Sequence, residues 1–165
     1  MNMEQSKWIE QLYLEMFDML LSYARVSLEE EPLAEEAVQE TFQTACQKPE
    51  QLLESPNPKG WLVNTLKYTI RNIRRNRESA RQLLVAYLTM QTNNMAFTED
   101  TIRLEVVYGN LADTEEFKLL KEMAVDGKSY LELAAARGIS VSACKKRVQR
   151  AREKLQEIIK IYVTK

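Results

Sequence analysis

The stretch GISVSACKKRVQRAREKL, residues 138–155, admits two readings: a basic coiled-coil strand, or a helix that lies in DNA. Val141, Cys144, Val148, Ala151, Leu155, Ile158 and Tyr162 fall at steps of three and four, the spacing of a heptad seam. Lys145, Lys146, Arg147, Arg150, Arg152 and Lys154 stand between them. The residues just upstream favour DNA. SYLELAAAR, residues 129–137, has the length of a two-turn helix, and Gly138 tolerates the left-handed conformation that ends helices. Ile139 then fills the corner, and Ser140 can cap the next helix. Ala134 and Ala135 let two helices approach closely. The pattern is helix, tight turn, helix, a preface that a coiled coil does not need.

In a helix-turn-helix the second helix enters the major groove. Its apolar seam must then face the domain's own core. That leaves Ser142, Ala143, Lys146, Gln149 and Arg150 on the opposite face, with Lys145 and Arg147 on the flanks. Lys and Arg donate to guanine, and Gln pairs with adenine. Flanking cations grip phosphates. The plainer alternative is a solvated basic face on a packing helix.

Charge is distributed in blocks. The chain of 165 residues has a net charge of −1. Residues 1–60 carry 4 basic and 12 acidic side chains, whereas residues 61–90 carry 6 and 1. Residues 91–127 carry 3 and 8, and residues 128–165 carry 10 and 3. Two basic blocks alternating with two acidic ones point to polyanion contacts, and the low overall pI does not exclude them.

Other function classes fare poorly. Cys46 and Cys144 are the only cysteines and histidine is absent, so no four-ligand Cys/His zinc site can be completed. The commonest general base is missing as well, and no carboxylates stand in a catalytic pattern, so the chain is not expected to be an enzyme or to need a cofactor. No apolar run approaches the roughly 20 residues of a membrane span. MNMEQSKWIEQ lacks a basic segment followed by an apolar one, so a cytoplasmic protein is expected.

Periodicity predicts helix almost throughout. A first helix over residues 6–27 places Trp8, Ile9, Leu12, Met16, Phe17, Leu20 and Ala24 on one face. Pro32 suits the first turn of a second helix reaching about Gln47, with Leu33, Ala37, Val38, Phe42 and Ala45 inward and Glu35, Glu36, Gln39 and Glu40 outward. Residues 48–60 read as a loop with at most one helical turn. Asn57 and Pro58 then cap and open a third helix reaching Arg77 or beyond, with Leu62, Leu66, Thr69 and Ile73 buried and Trp61 at the edge. Residues 89–100 lose periodicity and read as a linker, after which helices resume at 101–110 and 114–125. The expected fold is all-α: two small helical domains, residues 1–88 and 101–165, joined by a linker at 89–100, the C-terminal one a helix-turn-helix.

SYLELAAARGISVSACKKRVQRAREKL resembles region 4 of bacterial RNA polymerase sigma factors, especially the short extracytoplasmic-function (ECF) type of the sigma-70 family. Glu132, Ala134, Gly138, Ser140, Arg150, Ala151, Arg152 and Leu155 match its pattern. LAEEAVQETF, residues 33–42, is similar to the region 2 helix of that family through Ala34, Glu35, Gln39, Glu40 and Phe42, with Glu36 in place of the usual aspartate. GWLVNTLKYTIRNIRRNR, residues 60–77, has the family's Trp-Leu start and basic exit. The two motifs in order cover nearly the whole chain. Tyr68 stands where the family commonly has asparagine, Asn72 where it often has aspartate, and YGNLADTEE lacks the usual Leu-Pro.

The resemblance implies a sigma factor that lends promoter specificity to core RNA polymerase, through the β′ and β subunits, and directs transcription initiation. Glu36, Gln39 and Glu40 would dock on a β′ coiled coil. Asn64, Lys67, Tyr68, Arg71, Arg74 and Arg75 would face the −10 element, with Tyr68 stacking on an unpaired base. Lys145, Lys146, Gln149 and Arg150 fall on the family's −35 readers, with Ser142 and Arg147 beside them. An anti-sigma protein is an implied partner that no residue identifies. The alternative is a helix-turn-helix regulator that binds a palindrome as a dimer without polymerase, its seam pairing two protomers. A third reading is a polymerase-binding adaptor that opens no DNA.

Overall fold

The computed structural model describes residues 1–93 and 114–163. Among these the chain is helical and forms no strand. The expected helix at 101–110 and residues 94–100 of the expected linker lie outside the described residues.

The chain divides into two units, Met1–Arg75 and Asn76–Lys165. In the first, α1 (Met3–Leu28) and α2 (Glu31–Gln47) pack closely, followed by α3 (Pro49–Leu53) and the start of α4 (Pro58–Asn93). Asn2 starts α1: its side chain accepts from the Gln5 N–H at 2.8 Å, and the Gln5 side chain accepts from the Asn2 N–H at 3.0 Å. This reciprocal cap satisfies two donors that a helix start leaves orphaned. It carries the helix three residues further toward the N-terminus than periodicity marked. Arg25 then spans the α1–α2 turn with both guanidinium donors on Glu31, each at 2.6 Å.

The first core collects Ile9, Leu12, Met16, Leu20, Leu21 and Ala24 from α1 and Leu33, Ala34, Ala37, Val38, Phe42 and Ala45 from α2. Leu52 of α3 and Leu62, Leu66 and Ile70 of α4 close it. Trp8, expected on the buried face, is 46% exposed at its margin. Asn57 caps α4, its Oδ1 accepting from the Gly60 N–H at 3.0 Å. A Cβ on Gly60 would stand 2.5 Å from the Asn57 amide nitrogen, so any larger residue there displaces the cap.

The division falls inside α4, earlier than the boundary at 88. Residues 89–93, read as linker, are helical. The reason lies in the packing: beyond the basic exit of α4, Ala80, Leu84 and Tyr87 recur at steps of four and three, and all three are buried in the second core. There they join Phe117, Leu119, Leu120 and Met123 of α5 (Glu115–Ala124), Leu133 and Ala134 of α6 (Tyr130–Arg137), and the seam of α7 (Val141–Val163). The Tyr87 and Phe117 rings meet edge to face, centroids 5.8 Å apart. Arg81 donates to the Ala124 carbonyl at 3.4 Å and Arg152 to the Ser79 hydroxyl at 2.8 Å, both within this unit.

Candidate nucleic-acid interface

The C-terminal unit has the corner that the sequence predicts. Ser129 starts α6 with a reciprocal cap: its hydroxyl accepts from the Glu132 N–H, and the Glu132 carboxylate accepts from the Ser129 N–H, both at 3.1 Å. Gly138 ends α6 at φ 63°, a left-handed conformation costly for residues with a Cβ. The Ile139 N–H reaches back to the Ala134 carbonyl at 3.1 Å, which locks the turn. Ser140 caps α7, its hydroxyl accepting from the Ala143 N–H at 3.0 Å.

This corner sets the roll of α7. Cys144, Val148, Ala151, Leu155 and Ile158 are buried in the unit's own core. Ser142, Lys146, Gln149 and Arg150 form an exposed row opposite, with Lys145 and Arg147 as half-buried flanks; Ala143, expected on the outward face, is half-buried as well. Two contacts restrain these residues. Lys145 Nζ lies 5.4 Å from the centroid of the Tyr130 ring, within cation–π range. Gln149 Nε2 donates to Glu153 Oε1 at 3.3 Å, so a carboxylate ends the cationic row.

Behind α6, Arg137 is 17% exposed and joins two acids of α5, donating to Glu115 and, from Nη2 at 2.6 Å, to Glu122. Lys128 adds a bond to Glu122 at 3.1 Å. Burial pushes the Glu122 carboxyl up, but the bonds from Arg137 and Lys128 outweigh it, and the group lies below the usual carboxylate range. The network fixes α6 against α5, and through the corner it fixes α7.

In the N-terminal unit Asn64, Lys67, Tyr68, Arg71, Arg74 and Arg75 are all exposed and share one side of α4, opposite Leu62, Leu66, Thr69 and Ile73. They are not equivalent. Asn64, Tyr68, Arg71 and Arg75, spaced by four, three and four, form the outermost row, and Tyr68 is 60% exposed. Lys67 and Arg74 lean toward α1. Lys67 Nζ is 6.0 Å from the Tyr23 ring centroid, and Arg74 donates to the Ser27 carbonyl. The loop before α4 borders a groove of about 270 Å³ lined by residues that include Trp8, Leu12, Glu15, Asn57 and Lys59. Lys59 pairs with Glu15 there at 3.2 Å, which lowers the Glu15 carboxyl.

One expected site residue is corrected. Glu36 is only 4% exposed and does not face outward; Gln39 is exposed and Glu40 half-buried. Glu36 neighbours Leu33 and Glu40 on the helix surface, at spacings of three and four. The covered sector of α2 therefore extends past its apolar stripe. Glu35 joins Gln39 on the exposed side.

Tyr23, Ser27, Tyr130 and Arg137 carried no role in the sequence reading. Tyr130 sits inside the matching motif, but its contact with Lys145 depends on the corner angle. Tyr23 and Ser27 belong to a helix whose apolar face drew attention away from its polar flank. Among the described residues no cluster of acids and cysteines has the makings of a metal site, and no helix is long and apolar enough to cross a membrane.

A glycine corner, an inward seam and an outward row with two cations define a helix-turn-helix of the DNA-binding class. Residues 114–155 match the family described as sigma-70, region 4, a DNA-binding regulatory domain and not a catalytic one. The matched segment runs from the cap of α5 through the inward Leu155 of α7. Among curated proteins nothing matches the chain.

Proposed function

We propose that the protein is a sigma factor of the ECF type, which binds core RNA polymerase in the cytoplasm and directs it to promoters. The observation that carries this reading is the exposed row Ser142, Lys146, Gln149 and Arg150 on α7, within the segment that resembles sigma-70 region 4. In this reading the row meets the base edges of the −35 element in the major groove, and Lys145 and Arg147 meet phosphates.

The N-terminal unit supplies the second half. The row Asn64, Tyr68, Arg71 and Arg75 faces the −10 element, with Lys67 and Arg74 beside it. Arginines at helical spacing follow a phosphate backbone, and an exposed tyrosine among them stacks on a base released by melting. Docking on the β′ subunit falls to Gln39 and Glu40, with Glu35 beside them; the β subunit and an anti-sigma protein complete the proposed partners. Two weak DNA surfaces on one chain gain from effective concentration once either has bound.

A dimeric regulator is less well supported. It needs the α7 seam for a second protomer, yet the seam through Ile158 is spent inside the unit's own core. Run-off transcription with core polymerase on a library of promoter-length duplexes separates the readings. A sigma factor gives polymerase-dependent transcripts from asymmetric two-part sites and sediments as a monomer. Selection of palindromes by a dimer, with no effect of polymerase, would overturn the proposal.

A further inference from the structure

One flank of α7 is held differently from its exposed row. There Arg152 is bonded to Ser79, and seven residues earlier Lys145 rests against the ring of Tyr130. Tyr130 is the first residue of α6, and its backbone is fixed by the reciprocal Ser129–Glu132 cap, with Ser129 1% exposed. Tyr130 and Lys145 are both half-buried residues. A lysine ammonium is a strongly hydrated point charge on a flexible stem, so by itself it has no fixed aim. The quadrupole of an aromatic face gives it one.

The aim matters because of where the ring stands. In a helix-turn-helix the first helix crosses the DNA backbone while the second enters the groove. An ammonium held at the start of α6 is therefore held beside phosphates, away from the base edges that Lys146 and Gln149 face. We propose that Tyr130 is a positioning residue that aims Lys145 at the DNA backbone, which makes Lys145 a clamp on any sequence and leaves base discrimination to the exposed row. This rests on the reading of α7 as a DNA-recognition helix.

The test uses the full chain and a labelled duplex of random sequence at low salt, because a phosphate clamp acts on every sequence. Lys145→Ala should weaken binding and reduce the slope of log affinity against log salt by about 0.9. Tyr130→Leu should weaken binding about two- to fivefold, the range expected from a cation–π contact that is still partly open to water, and Tyr130→Phe should bind as wild type. In the Lys145→Ala background, Tyr130→Leu should cause no further loss. A loss of equal size in both backgrounds would overturn the proposal and make Tyr130 merely structural. A second readout needs no DNA: the Lys145 ε-methylene NMR signal should lie upfield in wild type and Tyr130→Phe and return to its random-coil position in Tyr130→Leu. Unchanged signals would also overturn the proposal. If the ring-dependent shift is present but no duplex binds the wild type, the DNA reading fails and the clamp fails with it, while the ring–ammonium contact stands.

Discussion

Arg74 of α4 donates to the main-chain oxygen of Ser27, one of the last four residues of α1. The final four carbonyls of a helix have no partner within it, so a cation placed there both caps the helix and answers the negative end of its dipole. One cation on the exposed side of α4 is thus occupied in holding its own unit together. Arg74→Ala should lower the stability of the N-terminal unit by about 0.5–1.5 kcal/mol, the net value of one hydrogen bond. Arg71→Ala and Arg75→Ala, whose side chains belong to the outermost row, should leave stability within about 0.5 kcal/mol of wild type and weaken DNA binding. Urea unfolding of the three variants, alongside single-strand binding, measures both. Equal destabilisation by all three would remove the distinction.

The Arg137 network predicts an acid-sensitive recognition unit. The Glu122 carboxyl lies below its ordinary value in the folded protein, so the unfolded chain takes up its proton first as pH falls. The stabilisation from Glu122 is therefore complete above the unfolded value and is lost as pH drops through the lower, folded one. Glu122→Gln should flatten the fall in thermal stability below about pH 4.5 and cost about 1–2 kcal/mol at neutral pH. Arg137→Met, which keeps the apolar stem, should cost a similar amount at neutral pH. Thermal unfolding against pH is the measurement; a Glu122→Gln profile parallel to wild type would show that the carboxylate contributes nothing.

The helix-turn-helix was legible because its determinants are local. Gly138, Ser140 and the seam lie within about six turns of chain, and their conformations follow from propensity and period. The exposed rows of α4 and α7 were legible for the same reason. What escaped the sequence depends on which helices come together. The Arg74–Ser27 bond joins residues 47 apart, and the burial of Glu36 follows from a covered sector that its own apolar pattern does not mark. The cap at Asn2 escaped differently, since its Gln5 partner lies before the first strongly apolar residue and periodicity had nothing to detect. The continuation of α4 beyond Arg77 shows in the spacing of Ala80, Leu84 and Tyr87, but which core that spacing serves depends on Phe117 and helices far along the chain.

Tyr68 offers the sharpest test of the proposed −10 surface. Its ring is largely exposed on α4, and it replaces an asparagine common in the family that the chain resembles. A stacking role depends on the aromatic face and not on the hydroxyl. Tyr68→Phe should therefore support promoter opening at close to the wild-type rate, and Tyr68→Ala should lose about 1–3 kcal/mol of open-complex stability, the value of one base–aromatic stack. Permanganate reactivity of unpaired thymines, with core polymerase present, reads this directly. Wild-type reactivity in Tyr68→Ala would assign the ring to covering the helix edge.

Glu153 sets the end of the exposed row on α7. Its carboxylate holds the Gln149 amide and faces the same way as Lys146 and Arg150. In the proposed DNA complex it has two opposed effects: it repels DNA of every sequence, and it orients the amide proposed to distinguish one base. Glu153→Gln should therefore tighten binding to random duplex, with about 1 kcal/mol or less recovered from removing an exposed like charge. It should also weaken the preference at the single base pair read by Gln149, because the amide loses its charge-assisted partner. Gln149→Ala should erase that preference without tightening random binding. Randomised-duplex selection followed by affinity measurement on specific and scrambled sites separates the two effects. An unchanged preference in Gln149→Ala would mean that Gln149 reads no base, and would move discrimination to Lys146 and Arg150.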